Sequence, residues 1–380
     1  MFLHQERLPQ LLPSDAYHSQ ASHETECQAL YEDAWHPVAV LDQVRGEGDF
    51  VTIEFQGRPV ILWRTGGTLR AFLNVCPHRF SRITAQSNGT TETMRCSYHG
   101  WEFEGCGQTK RIPESIGFRP FEKRPCLTSF RVESCGQLVF LCVSKDTPPL
   151  ADWLGSVAAD LEELFSEDRC CFDFVELSLA ANWKIIVENA IESYHLESVH
   201  TKTFRQNPAA DACSHFLREN GSSFRSVAPP ADRWQRIVDS VVYRALGLKP
   251  DTSYSHHLVH PSLMAGRAGM FSWCHFVTPT QPGESRMQMW MFMERGRQSL
   301  LTRPLEKVMR IAARRFTMRA IAEDAAICAE VQTGLNSRQI PDGGWLSPRE
   351  ERIWHLQQYV ADRTGVSELS SEESSPRHCA

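Results

Sequence analysis

The sequence predicts an α+β protein whose strands and helices are segregated along the chain. Three features carry this. From about Trp35 to Val143, short apolar–polar alternations recur between glycines, as strands joined by tight turns require. A proline-rich break, "SKDTPPLADWLG", follows. Beyond it, "LADWLGSVAADLEELF" and "RPLEKVMRIAARRFTMRAIAEDAAICAEVQTGL" place apolar residues at helical spacing. In chain order, residues 1–34 are mixed and weakly patterned. "FVTIEFQGRPVILWR" reads as a hairpin around a Gly-Arg-Pro turn, and "QLVFLCV" as a buried strand. After the break, "CFDFVELSLAANWKIIVENAIESYHLESVH" runs from a strand into a helix. "MFSWCHFVTPT" and "RMQMWMFMER" form two strands joined by a Pro-Gly turn, and the long helix follows. The expected division is 1–34, 35–147, 148–365 and a polar, disordered tail at 366–380.

At 380 residues the chain has length enough for a sizeable core. A net charge of −6 offers no basic field for nucleic acid or anionic lipid, so neither is expected as a partner. No run approaches the roughly 18 apolar residues that span a bilayer. The start, "MFLHQERLPQLLPSD", has acid, base and proline where a signal peptide needs an apolar stretch, so a cytoplasmic protein is expected. Thirteen cysteines in such a chain do not form a disulfide scaffold. Cys142 and Cys274, inside apolar runs, read as buried thiols.

Four residues stand apart. "CPHR" and "CSYHGW" give C-x-H, a gap of 17 residues, then C-x-x-H: Cys76, His78, Cys96 and His99. Each half supplies one thiolate and one imidazole, with Pro77 stiffening one loop and Gly100 loosening the other. Structural zinc is the rival, but its first ligands usually come from C-x₂₋₄-C. An iron–sulfur centre with two cysteines on one iron and two histidines on the other fits one of each from each loop.

These motifs resemble the Rieske [2Fe–2S] motif of ring-hydroxylating and related non-haem iron oxygenases. The resemblance implies Cys76 and Cys96 on one iron, His78 and His99 on the other. The Tyr98 hydroxyl and nearby backbone N–H groups are expected to hydrogen-bond the sulfurs. Ser81 and Tyr98 stand where respiratory-type Rieske proteins pair extra cysteines, which points to the oxygenase or ferredoxin type. Cys106 has no matching partner.

A second constellation lies in "ENAIESYHLESVH". His195 and His200 are five positions apart, about 140° around an ideal helix, so they share one metal only if the helix breaks between them. A bulge or break near Glu197 is expected. Two imidazoles and a carboxylate make the facial triad of a non-haem Fe(II) oxygenase, leaving three positions open for O₂ and substrate. Asp324 in "AIAEDAAICAEVQTGL" offers the carboxylate, with Ala325, Ala326 and Cys328 packing elsewhere, and Glu323 competes with it.

The second region is also similar to the catalytic domain of Rieske oxygenases. The implied fold is an all-β Rieske [2Fe–2S] domain inserted in an α+β helix-grip (START-like) catalytic domain, on which residues 1–34 pack. His195, His200 and Asp324 fall on iron ligands and Asn189 near the metal. Glu192 falls on an acid that links a Rieske histidine of one subunit to an iron-ligating histidine of the next. Such proteins commonly form head-to-tail trimers, the closed form of a heterologous interface. No Gly-rich dinucleotide fingerprint follows a strand, so a separate NAD(P)H-dependent reductase, with or without a ferredoxin, is the expected electron source. Phe216, Phe224, Trp234, Tyr243, Phe271 and Trp273 line a pocket or fill the core; a pocket would suit an arene or, by cation–π attraction, a quaternary ammonium. Mono-oxygenation, cis-dihydroxylation and demethylation all remain open. So do an electron-transfer protein with a non-catalytic partner domain and a zinc-stapled binding protein.

Overall fold

The computed structural model describes residues 1–121, 123–204, 207–227, 233–297, 302–341 and 343–366. The tail expected to be disordered lies, from residue 367 on, outside the described residues. Two compact units form: Asp33–Trp153, and Met1–Glu32 together with Leu154–Ala380. The first unit is therefore inserted in the sequence of the second, and the α+β expectation holds.

The chain starts with β1 (Leu8–Pro9) and α1 (Gln20–Glu26). The inserted unit follows, with β2 (His36–Val40), β3 (Asp49–Phe55), β4 (Arg58–Thr65), β5 (Thr68–Leu73) and β6 (Asn88–Thr90). β7 (Met94–Arg95), β8 (Glu102–Phe103) and β9 (Thr109–Arg111) make a small sheet of their own. β10 (Ser129–Cys135) and β11 (Leu138–Cys142) return to the larger one, whose order is β2-β11-β10-β5-β4-β3-β6. In β4, Val60, Ile61, Leu62 and Trp63 are all buried. Alternation sends Val60 and Leu62 into one core with Val139 and Leu141, and Ile61 and Trp63 into another with Cys76, Cys96 and Trp101. The second core is the floor under both cysteine loops. The β3–β4 hairpin turns at Gln56 (φ 48°) and Gly57 (φ 72°) rather than at Gly-Arg-Pro. Two left-handed residues match the twist of paired strands, so Arg58 and Pro59 already lie in β4. The proline-rich stretch stays with this unit: Trp35 Nε1 donates to the Pro148 carbonyl at 3.0 Å.

α2 (Leu150–Leu154) spans the end of the first unit; in the second, α3 (Ala158–Leu164) leads into β12 (Arg169–Leu179), α4 (Trp183–Ile191) and α5 (Leu196–Val199). β13 (Cys213–Arg218), β14 (Gly221–Val227), α6 (Arg233–Leu246), β15 (Ser253–Val259), β16 (Leu263–Ala268), β17 (Phe271–Gln281) and β18 (Glu284–Glu294) come next. α7 (Thr302–Leu335), β19 (Trp345–Leu346) and α8 (Glu351–Thr364) complete it. Seven antiparallel strands run β12-β18-β17-β16-β15-β14-β13. The 34 residues of α7 make a rod about 50 Å long. Its Met318 and Ile321 pack on Val175, Met289 and Met291 of the sheet. None of the helices among the described residues is long and apolar enough to cross a membrane.

Candidate metal centres

The two cysteine loops are built alike. Cys76 N–H donates to the Ser81 carbonyl and Cys96 N–H to that of Trp101, both at 2.8 Å. Phe80 and Gly100 N–H donate back to the Cys76 and Cys96 carbonyls, both at 3.0 Å. Each loop closes on a left-handed residue, Phe80 (φ 60°) or Gly100 (φ 69°). Both cysteines are buried, in the core beneath the loops. Burial pushes the Cys76 thiol up to about 11, so anything that stabilises a thiolate there must supply positive charge. The imidazoles lie further out: the His78 and His99 rings are 4.6 Å apart, and His99 is exposed. His78 stacks on Trp101 at 4.9 Å with planes 3° apart. Two buried sulfurs with two outward imidazoles are the donor set of a Cys₂His₂ [2Fe–2S] centre. The Tyr98 hydroxyl goes elsewhere than expected. It accepts from Arg79 Nη1 at 3.4 Å, and its half-exposed ring lies 3.8 Å from that of His99.

The second centre is assembled from α4, α5 and α7. Asn182 caps α4, accepting from Lys184 N–H at 3.0 Å. The helix stops at Ile191 because Glu192 turns extended (φ −117°, ψ 173°) and its carboxylate takes the Tyr194 N–H and His195 Nδ1. Arg352 Nη1 donates to the freed Ile191 carbonyl at 2.9 Å. The main break thus falls at 192–195, and α5 itself ends at Val199, between the two histidines. Glu197, where a break was expected, sits inside α5. His195 starts α5 and His200 follows its last residue, a single turn that aims both rings inward.

The geometry is compact. His195 Nε2 lies 3.3 Å from His200 Nε2 and 3.5 Å from Asp324 Oδ1; His200 Nε2 lies 3.1 Å from that oxygen. Metal bonds of about 2.1 Å at right angles would set neighbouring donors about 3 Å apart. One ion therefore fits all three. The group of three comes together within 4.8 Å. Glu323 serves differently: its Oε2 accepts from His200 Nδ1 at 2.9 Å and Thr203 Oγ1 at 2.7 Å. Asn189 Nδ2 donates to Asp324 Oδ1 at 2.8 Å.

The charges follow. Burial opposes ionisation of Asp324, but hydrogen bonds from His195, His200 and Asn189 outweigh it and hold the carboxyl at about 2. Burial likewise opposes charge on His195, yet Asp324 and Glu192 raise it to about 9. Burial opposes charge on His200 too, but Asp324 and Glu323 move it up, and Glu323 moves down through its bonds to His200 and Thr203. A divalent cation bound here would replace the imidazole protons and gain the same electrostatic support from the carboxylates.

Beside the triad lies a hollow of about 410 Å³, counting its open mouth. α7 lines it with Ile321, Asp324, Ala325 and Cys328, and α4 with Ile186, Asn189 and Ala190. These spacings of three, four and seven are one helical stripe each. Ala325 and Cys328 therefore share the face of Asp324 instead of packing elsewhere. Four strands of the sheet add one residue each, Leu179, Met264, His275 and Met287, with Met264 and His275 directly paired across β16 and β17. None of the aromatics considered from sequence is among these lining residues. Phe224 packs on His215 and Tyr254; Tyr243 and Phe271 sit in a core with Met270; Trp273 packs in another with Val175. Phe216 is exposed, and the side chain of Trp234 lies outside the described residues. Sequence reasoning missed His275 as a lining residue. The signal was there, since His275 shares one face of β17 with Trp273 and Val277, a polar residue between two apolar ones. Arg352 carried no such signal.

The "Ring hydroxylating alpha subunit (catalytic domain)" model matches residues 162–365, and the "Rieske [2Fe-2S] domain" model residues 34–122. The chain is similar to a glycine betaine monooxygenase oxygenase subunit of Pseudomonas aeruginosa, 27% identical over 195 residues (51% of this chain, 46% of that protein). It is similar too to the large oxygenase component of a naphthalene 1,2-dioxygenase system of Pseudomonas putida, 30% identical over 190 residues (47% and 42%). The matched part spans about half the length of these relatives. In fold it resembles the quaternary ammonium Rieske monooxygenase CntA in complex with L-carnitine (TM-score 0.74, 21% identity, covering 95% of this chain and 100% of that one). A naphthalene 1,2-dioxygenase with indole bound gives TM-score 0.72 at 18% identity, covering 94% and 93%. With 162–365 matched, more than half its length, the chain belongs to the ring-hydroxylating alpha-subunit family, and it carries a Rieske [2Fe–2S] domain ahead of the catalytic one.

Proposed function

We propose that this chain is the oxygenase component of a Rieske non-haem iron enzyme, a mono- or dioxygenase that hydroxylates or demethylates a small organic substrate. Electrons come from NAD(P)H through a separate reductase, directly or by way of a ferredoxin. The observation that carries this is the convergence of His195 Nε2, His200 Nε2 and Asp324 Oδ1 to within 3.1–3.5 Å beside an apolar hollow. Fe(II) bound there would supply O₂ activation, with a [2Fe–2S] cluster on Cys76, Cys96, His78 and His99 as its electron store.

The chain's own residues do the rest. Glu192 and Glu323 each engage one Nδ1, fixing the tautomer so that both Nε2 lone pairs face inward. Asn189 orients Asp324. With the cysteines buried and His99 exposed, a cluster held on these four residues would present its imidazole side where charge can be exchanged. In a head-to-tail ring of three copies, Glu192 would join a Rieske histidine of the neighbouring copy to His195. Inter-subunit electron transfer is described for a quaternary ammonium Rieske monooxygenase of this fold. The domain division goes with this reading: 33–153 for the cluster, the remainder for iron and substrate. A cytoplasmic location goes with this reading.

Iron content and the visible spectrum of anaerobically prepared protein, then product analysis with ¹⁸O₂ and a reductase, test the proposal. A brown-red protein with iron beyond the cluster, and label in the product of an arene or amine, is expected. Colourless, iron-free protein overturns it.

A further inference from the structure

Resting on the oxygenase reading, we propose that His275 is a specificity-determining residue, and that the part of the substrate entering the hollow is neutral and apolar with one hydrogen-bonding group. Leu179, Ile186, Met264, Met287 and Ile321 give the wall its apolar character. Among its polar groups, Asn189 and Asp324 are bound to each other at 2.8 Å. Burial pushes the Cys328 thiol up to about 12, so it stays neutral, and its Sγ faces the Ile185 carbonyl at 4.0 Å. His275 is left. Its Nε2 is buried and has no hydrogen-bond partner. Burial holds its imidazole down at about 4, so the ring is neutral at pH 7.

An orphaned buried nitrogen is unfavourable, and a ligand that supplies its partner recovers that loss. A neutral imidazole presents one donor and one acceptor, and the broad χ2 torsion of histidine lets the ring turn to meet either kind of group. The same wall disfavours charge. Among the described lining residues no arginine or lysine would pair with a substrate carboxylate, and no aromatic ring would cage a trimethylammonium group. Asp324 already faces both triad histidines.

The test is equilibrium binding to the full, iron-loaded chain under anaerobic conditions, so no turnover is needed. The probes are 1-naphthol against naphthalene, and tert-butylbenzene against the isosteric trimethylphenylammonium ion. Relative to His275→Leu, the wild-type chain should favour 1-naphthol over naphthalene by about three- to tenfold, and His275→Asn should keep part of that preference. The wild-type chain should bind tert-butylbenzene more tightly than the cation. Equal naphthol-to-naphthalene ratios in wild type and His275→Leu overturn the inference, as does tighter binding of the cation. Should His275→Leu fail to hold iron and cluster, the His275→Asn ratio and the charge pair on wild type decide. Iron content of the same sample and the ¹⁸O₂ products report on the oxygenase reading separately. A chain that holds iron and oxidises substrate yet fails these ratios refutes the role of His275 alone.

Discussion

Replacing Glu323 with alanine removes one carboxylate and two hydrogen bonds, to His200 Nδ1 at 2.9 Å and to Thr203 Oγ1 at 2.7 Å. The carboxylate is only 15% exposed, so water does not make good the loss. A hydrogen bond to a charged group contributes about 1.5–3 kcal/mol. At about 1.4 kcal/mol per decade, that is roughly ten- to a hundredfold in ferrous affinity, the range expected for a group that orients a metal-binding histidine. Glu323→Gln keeps an acceptor and should lose less. Asp324→Asn should lose more than either, because it removes the charged donor itself. The assay is anaerobic competition with a ferrous chelator at fixed pH, with the absorbance of the cluster as a control for folding. Wild-type affinity in Glu323→Ala would show that nothing orients His200 from that side. Abolished binding in Glu323→Ala together with near-normal binding in Asp324→Asn would reverse the two roles.

Other outcomes follow from single contacts. Glu192→Gln still accepts from the Tyr194 N–H, so it should keep both metals while turnover falls severely; full turnover at full metal content defeats the bridge. Lys184 and Glu26 are buried and 2.5 Å apart, with Trp183 Nε1 also on Glu26 at 2.6 Å. Lys184→Met alone should cost about 3–5 kcal/mol by leaving Glu26 unpaired. In thermal unfolding, Lys184→Met/Glu26→Gln should recover much of the loss, and an unchanged Lys184→Met transition speaks against the pair. Glu351 accepts the Leu3 and His4 N–H groups and faces His215. Burial opposes its ionisation, but those bonds hold the carboxyl near 2, below its ordinary 4.5. A lowered carboxyl stabilises above its unfolded value, so this contribution should be full above about pH 4.5 and fade toward pH 2. Glu351→Gln should flatten the stability-versus-pH curve in that window; an unchanged curve counts against the clamp.

The two metal motifs illustrate what a sequence carries by itself. The cysteine loops are local: every bond that closes them joins residues at most five apart, so spacing alone brings one thiol and one imidazole to each turn. The β3–β4 hairpin and the pair β17 and β18 were equally legible as strands, because short apolar runs broken by turn residues mark strands whatever they pack against. The choice between Asp324 and Glu323 was not. Adjacent on a helix, they point about 100° apart, and only the arrival of His200, more than 120 residues earlier, decides which faces the metal side and which takes the outer nitrogen. The break at 192–195 depends likewise on Arg352 catching the Ile191 carbonyl from α8. Phe224, Tyr243, Phe271 and Trp273 settled in cores instead of around the hollow because long-range packing of α7 on the sheet, not local pattern, determines where space is left. Local hydrogen bonding and periodicity are written in neighbouring residues; the partner that a side chain meets across the fold is fixed only when the distant elements close.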